Sequence, residues 1–73
     1  MTKENKKYYV VRFINGKKTY KRTKCSDYWT GENHKDICWQ FTKQAAKRIA
    51  ESYENSMHPN NHSWLRYDIE EVA

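Results

Sequence analysis

Tyr8-Tyr-Val-Val-Arg-Phe-Ile-Asn-Gly-Lys-Lys-Thr-Tyr-Lys-Arg-Thr-Lys24 is the stretch from which the rest of this 73-residue chain is read. Two runs rich in β-branched and aromatic residues flank Asn15-Gly16. A two-residue type I′ turn needs positive φ at both central positions, which Asn and Gly tolerate best, so the stretch predicts a β-hairpin. A turn of that length pairs Ile14 with Lys17, Arg12 with Thr19 and Val10 with Lys21 on one face. On the other face it pairs Phe13 with Lys18, Val11 with Tyr20 and Tyr9 with Arg22. The second face gathers Tyr9, Val11, Phe13 and Tyr20 and is expected to be the core side. Tyr8, Arg12, Lys17, Thr19 and Lys21 would then project outward, with Arg22 and Lys24 at the strand end. A slip of one residue would exchange the two faces.

The hairpin is also where the positive charge lies. Residues 1–24 hold nine Lys or Arg against one acid, Glu4, and residues 25–73 hold five against eight, within a formal net charge of +5. A basic first third beside an acidic remainder points to a polyanionic partner and argues against an acidic mimic of DNA. A chain of this length makes one domain with one small core, which leaves little room for a substrate cleft walled on all sides. No apolar run approaches a membrane span and Met1-Thr-Lys-Glu-Asn-Lys-Lys7 is not a secretory leader, so the expected location is the cytoplasm. Cys25 and Cys38 do not form a secreted disulfide framework and are expected as free thiols.

Outward from the hairpin, residues 1–7 read as a flexible basic tail and residues 8–73 as a single small domain. Residues 25–36 read as a loop turning at Gly31, with Tyr28 and Trp29 heavy enough to fold back on the core. Ile37-Cys-Trp-Gln-Phe41 alternates apolar and polar and predicts a short third strand. Thr42 is a good N-cap, and Lys43 to about Asn55 runs without Gly or Pro. Ala46, Ile49, Ala50, Tyr53 and Met57 recur at three- and four-residue steps and make one apolar stripe. Pro59 stops the helix. Trp64 to Val72 alternates again, with Leu65, Tyr67 and Ile69 inward and Arg66, Asp68 and Glu70 outward. The expected fold class is α+β: a three- to four-stranded antiparallel sheet in the order β-β-β-α-β with one helix on one face.

Few residues combine into chemistry. His58 and His62 have the histidine half of a zinc-finger spacing, but Cys25 and Cys38 are too far apart for the cysteine half, and Pro59 breaks the helix that carries such a pair. Cys38 with His34 lacks a third, orienting residue. Gly16 and Gly31 are the only glycines and both serve turns, so no phosphate-binding glycine loop exists. No metal, no cofactor and no catalytic residue is expected. The basic and aromatic set is the stronger signal, since Lys and Arg neutralise phosphates and a two-stranded ribbon fits a major groove. The helix adds Lys43 and Lys47 at its start, where they oppose the macrodipole but would face an anion.

Tyr8-Tyr-Val-Val-Arg-Phe13, Gly16-Lys-Lys-Thr-Tyr-Lys-Arg22 and Phe41-Thr-Lys-Gln-Ala-Ala-Lys47 resemble the N-terminal arm-type DNA-binding domain of phage tyrosine integrases. The resemblance covers roughly residues 8–24 and 41–54; residues 25–40 and a closing strand depart from it. It implies a sheet braced by one helix and laid in the major groove, with Arg12, Lys17, Thr19 and Lys21 reading DNA. The whole pattern, closing on Asp68-Ile-Glu-Glu-Val72, is also similar to small phage and prophage proteins of Gram-positive bacteria. That likeness implies a bacterial host cell, whose cytoplasm is then the location, and a host-takeover or anti-defence inhibitor that binds a protein. The expected function is therefore a non-enzymatic binding module, monomeric or homodimeric. Its partner is a nucleic acid, DNA first, contacted by Tyr8, Arg12, Lys17, Thr19, Lys21, Arg22, Lys24, Lys43 and Lys47. The alternative partner is a host nuclease or defence complex, with Trp29 and Trp64 as anchors.

Overall fold

The computed structural model describes residues 6–72 and has an α+β architecture. Strands β1 (Tyr8–Ile14), β2 (Lys17–Lys21) and β3 (Trp29–Gly31) precede one helix, α1 (Lys43–Ser56), and β4 (Leu65–Glu71) closes the chain. All four strands form one antiparallel sheet in the order β3-β2-β1-β4. Short 3₁₀ segments, Glu32–Ile37 and Pro59–Ser63, join the elements. Of the basic tail expected over residues 1–7, residues 1–5 lie outside the described residues. Lys7 is already tied in, its carbonyl accepting from the Val72 N–H at 2.8 Å.

The hairpin forms as its turn dictates. Asn15 and Gly16 have φ of 51° and 83°, and β1 and β2 pair from Val11↔Tyr20 to Ile14↔Lys17, the predicted register. At the open end the two strands part and residues 39–41 bridge them. The Trp39 N–H donates to the Arg22 carbonyl at 2.9 Å, and Phe41 exchanges both backbone bonds with Tyr8 at 2.7 Å. The third strand is therefore not 37–41 as expected. It lies at Trp29–Gly31, inside the stretch read as a loop, and pairs Lys21↔Trp29 through Thr19↔Gly31. Within 37–41, Cys38 and Phe41 are buried and Ile37 is exposed, because a wedge between two strands offers no single outward face.

The largest correction concerns the faces of the hairpin. β4 pairs with β1 so that Ile69 lies opposite Val10, Tyr67 opposite Arg12 and Leu65 opposite Ile14. That register puts the apolar set of β4 on the face of Tyr8, Val10 and Arg12, and α1 packs there. Val10, Phe41 and Ala46 form the buried centre of this layer, with Tyr8, Ile49 and Ile69 around it. The other face is covered as well. Tyr9, Val11 and Tyr20 pack under Cys38, with Phe13 and Val72 at the margin. Counted on the hairpin alone, the apolar residues favour the wrong side for the helix; β4 decides it.

The helix itself follows the sequence. Thr42 caps it, its hydroxyl accepting from the Ala45 N–H at 3.2 Å, and Ala46 and Ala50 are its buried residues. Among the described residues no helix is long and apolar enough to cross a membrane.

Candidate nucleic-acid interface

A helix placed on the Arg12 face changes what the basic residues can do. Lys21, expected to project outward, is only 3% exposed. Its ammonium donates to the Ser26 carbonyl at 2.5 Å and reaches the Tyr53 hydroxyl at 3.4 Å. Burial pushes its pKa down, with the carboxylate of Asp27 acting in the opposite sense. Arg12 is half-buried, its guanidinium 4.5 Å from the centre of the Trp29 ring. Trp29 meets Tyr53 edge-on at 5.6 Å, and Tyr53 stacks on Tyr67 at 4.8 Å with 9° between planes. Asp27 closes the cluster, accepting from Trp29 Nε1 at 2.5 Å and from the Tyr53 hydroxyl at 3.2 Å. The Trp29 bond chiefly, with the Tyr53 bond and the nearby cations, holds the Asp27 carboxyl below its usual range against burial, which raises it.

This cluster is structural. A cation over an aromatic face is stabilised by the ring quadrupole, and Trp29 and Tyr53 offer such faces to Arg12 and Lys21. Arg12 Nε is buried and finds no hydrogen-bond partner among the described residues, which leaves ring stacking as its compensation. Tyr8 is half-buried against the same layer, and the half-buried Thr19 donates its hydroxyl to the Arg12 carbonyl at 3.1 Å. Tyr8, Arg12, Thr19 and Lys21 are thus removed from the outward face where the sequence placed them. Trp29, expected as an anchor for a partner, anchors the fold instead.

The remaining predicted residues fall in three places. Lys17 is exposed at the hairpin tip, beside a concavity shared with Lys18 and His34. Lys43 and Lys47 are exposed on the first turns of α1, and Lys47 lines a groove with Glu51, Glu54 and Asp68 on the β4 side. Arg22 and Lys24 stand together where β2 ends, and each faces an aromatic ring. The Arg22 guanidinium lies 5.2 Å from the Tyr28 ring centre, with Nη1 3.3 Å from its hydroxyl. The Lys24 ammonium lies 5.9 Å from the Trp39 ring.

Backbone bonds fix both rings to the same strand end. Arg22 donates its N–H to the Tyr28 carbonyl at 2.7 Å and accepts at its own carbonyl from Trp39. Tyr28 and Trp39 nevertheless remain 51% and 46% exposed. Two large rings left in solvent beside two cations form the clearest surface feature of the described residues. The sequence predicts Tyr28 folded back on the core with Trp29; Trp29 packs there, but Tyr28 stays in solvent. Trp39 carried no signal of exposure, because its segment reads as a strand with Trp39 on the apolar side.

Among the described residues no three His, Cys, Asp or Glu side chains gather as metal ligands. Cys38 is buried, with its thiol 3.0 Å from the Thr30 hydroxyl, and Cys25 is exposed in a concavity it shares with Lys21 and Lys24. The chain matches no family model, and comparison with curated proteins and with solved structures finds no similar protein.

Proposed function

We propose that the protein is a non-enzymatic binding module whose ligand is a nucleic acid, DNA first, held at the end of β2 by Arg22 and Lys24 with Tyr28 and Trp39. The observation that carries this reading is the pairing of each exposed ring with its own cation. Phosphates are neutralised by Lys and Arg, and bases stack on aromatic faces, so a nucleic acid uses both halves of the patch. The basic N-terminal third of the chain adds a long-range attraction for a polyanion. The major-groove ribbon is no longer the favoured geometry, because its central side chains are spent on the core.

A salt titration tests the reading. Phosphate contacts make log K fall linearly with log salt, by about 0.7 to 0.9 per neutralised phosphate. Binding to DNA or RNA with such a slope supports the proposal. No binding to either at about 50 mM salt, where such contacts are strong, rejects it and leaves the exposed aromatics to a protein partner, the inhibitor reading.

A further inference from the structure

We infer that the patch takes single-stranded rather than duplex nucleic acid, with unpaired bases stacked on Trp39 and Tyr28; the inference rests on the nucleic-acid reading above. Duplex recognition by a β-ribbon needs a row of side chains along one open face of the hairpin. On the Arg12 face that row is gone. Lys21 is buried, Arg12 is stacked on Trp29, Thr19 is bonded to the Arg12 carbonyl, and only Lys17 at the tip stays exposed.

The surface that replaces it has the opposite character. The Trp39 and Tyr28 rings are about half exposed, and a paired base inside a duplex presents no free face to such a ring. An unpaired base does, whatever its identity. The rings are also pre-positioned, since both backbones are hydrogen-bonded to Arg22, one on each side. Little ordering is then left for the ligand to supply on binding. A single strand alternates phosphate and base along its length. The patch supplies a partner for each, as two ring–cation pairs, Tyr28 with Arg22 and Trp39 with Lys24. DNA and RNA strands share this chemistry.

Fluorescence anisotropy with labelled oligothymidylate, oligouridylate and a mixed-sequence duplex of equal length decides the matter. Both single strands are expected to bind at least about tenfold more tightly than the duplex, since stacking contributes roughly that much per base. The preference between the two assigns DNA or RNA as the natural source. Trp39→Ala and Tyr28→Ala should each weaken single-strand binding by about tenfold. Trp39→Phe should keep most of it, and circular dichroism should show all three variants folded, because both side chains are solvent-facing. Duplex binding as tight as single-strand binding overturns the inference while the nucleic-acid reading stands. So does a folded Trp39→Ala/Tyr28→Ala double variant that binds the single strands unchanged. No binding to any of the three probes removes both.

Discussion

The Glu54 carboxylate of α1 accepts a hydrogen bond from the Tyr67 backbone N–H of β4 at 2.7 Å. β4 is an edge strand, and its even-numbered neighbours Trp64 and Val72 bond back toward the β1 side. Tyr67 and Ile69 therefore turn their N–H groups to the open edge, by the alternation of an antiparallel ladder. Glu54 covers the first, and the Asp68 side chain covers the second at 2.8 Å. A long uncovered edge is a template for pairing with another chain, and two carboxylates cover the middle of this one. Glu54→Ala is expected to cost about 1 kcal/mol, the usual worth of one hydrogen bond, and to promote self-association. Glu54→Gln, which keeps an acceptor, should recover most of the stability. Thermal melts and sedimentation across a concentration series check this; an Ala variant that melts and sediments like the parent sinks it.

Beneath the opposite face, Glu70 joins three elements. Its carboxylate lies 2.7 Å from Lys18 Nζ, accepts from the Tyr20 hydroxyl at 2.9 and 3.0 Å, and sits 3.7 Å from Lys35. Burial raises the Glu70 pKa, but the bonds from Lys18 and Tyr20 and the charges of Lys18 and Lys35 outweigh it and hold the carboxyl below its usual range. The ionised form is thus favoured by the fold. Its contribution is full above the ordinary carboxylate value of 4.5 and is lost as pH falls through the lower folded value. At the alkaline end, burial and then Glu70 push Tyr20 up to about 12, and the Glu70 bond raises Lys18 despite burial. The unfolded chain releases those protons first, so stability declines above about pH 10, the ordinary tyrosine range. Urea melts from pH 3 to 11 (a window about the usual carboxylate and tyrosine values) should trace both limbs. Glu70→Gln should flatten the acid limb and lower the neutral plateau by about 1 kcal/mol. An unchanged acid limb in that variant contradicts the assignment.

Thr42 sets the start of α1 by a bond to the Ala45 N–H, and no acidic residue stands in the first turn to share that work. Thr42→Ala should cost about 1 kcal/mol, whereas Thr42→Asp should match or exceed the parent, because a carboxylate also favours the positive end of the helix dipole. The position is exposed, so repacking does not confuse the result. Chemical denaturation of the two variants checks the order; a stable Thr42→Ala would show that Phe41 and Ala46 alone hold the helix start.

The hairpin, the helix with its cap and the closing strand were legible because each rests on local signals: Asn15-Gly16, Thr42 before an unbroken stripe, and a clean alternation from Leu65 to Ile69. What was not legible is non-local. The side of the hairpin that meets the helix depends on how β4 registers against β1, and neither segment states that register by itself. Both faces of β1 are apolar enough to be buried, and both are. The third strand was missed because Trp29–Gly31 is three residues long and is paired by context. Trp39 was read inward because a wedge between parting strands mimics an alternating strand in sequence. Charge was the weakest guide, since the half-buried Arg12 and the buried Lys21 lie against aromatic rings that come from β3 and α1.

That reversal separates two pairs of basic residues. Arg12 and Lys21 hold the fold, and the half-buried Arg22 and exposed Lys24 at the strand end carry the proposed contact. Arg12→Ala removes the guanidinium from the Trp29 face and should cost about 1 to 2 kcal/mol, in the range of a partly desolvated cation–π contact. Lys21→Ala should cost a similar amount, because it leaves a gap beside Tyr53. Lys21→Met should cost less than Ala or nothing, since burial already disfavours the charged ammonium and an apolar chain of similar length fills the space. Neither change at position 21 should alter the salt slope of nucleic-acid binding while the protein remains folded. Arg22→Gln and Lys24→Gln should do the reverse, leaving the melting temperature within about 2 to 4 °C (about 0.5 kcal/mol) and reducing the salt slope by about one phosphate each. Measuring stability and salt slope on all five variants therefore distinguishes a charged ribbon from a charged strand end. If Arg12 and Lys21 govern the slope and Arg22 and Lys24 do not, the ligand meets the hairpin on its helix side, and α1 must move to admit it.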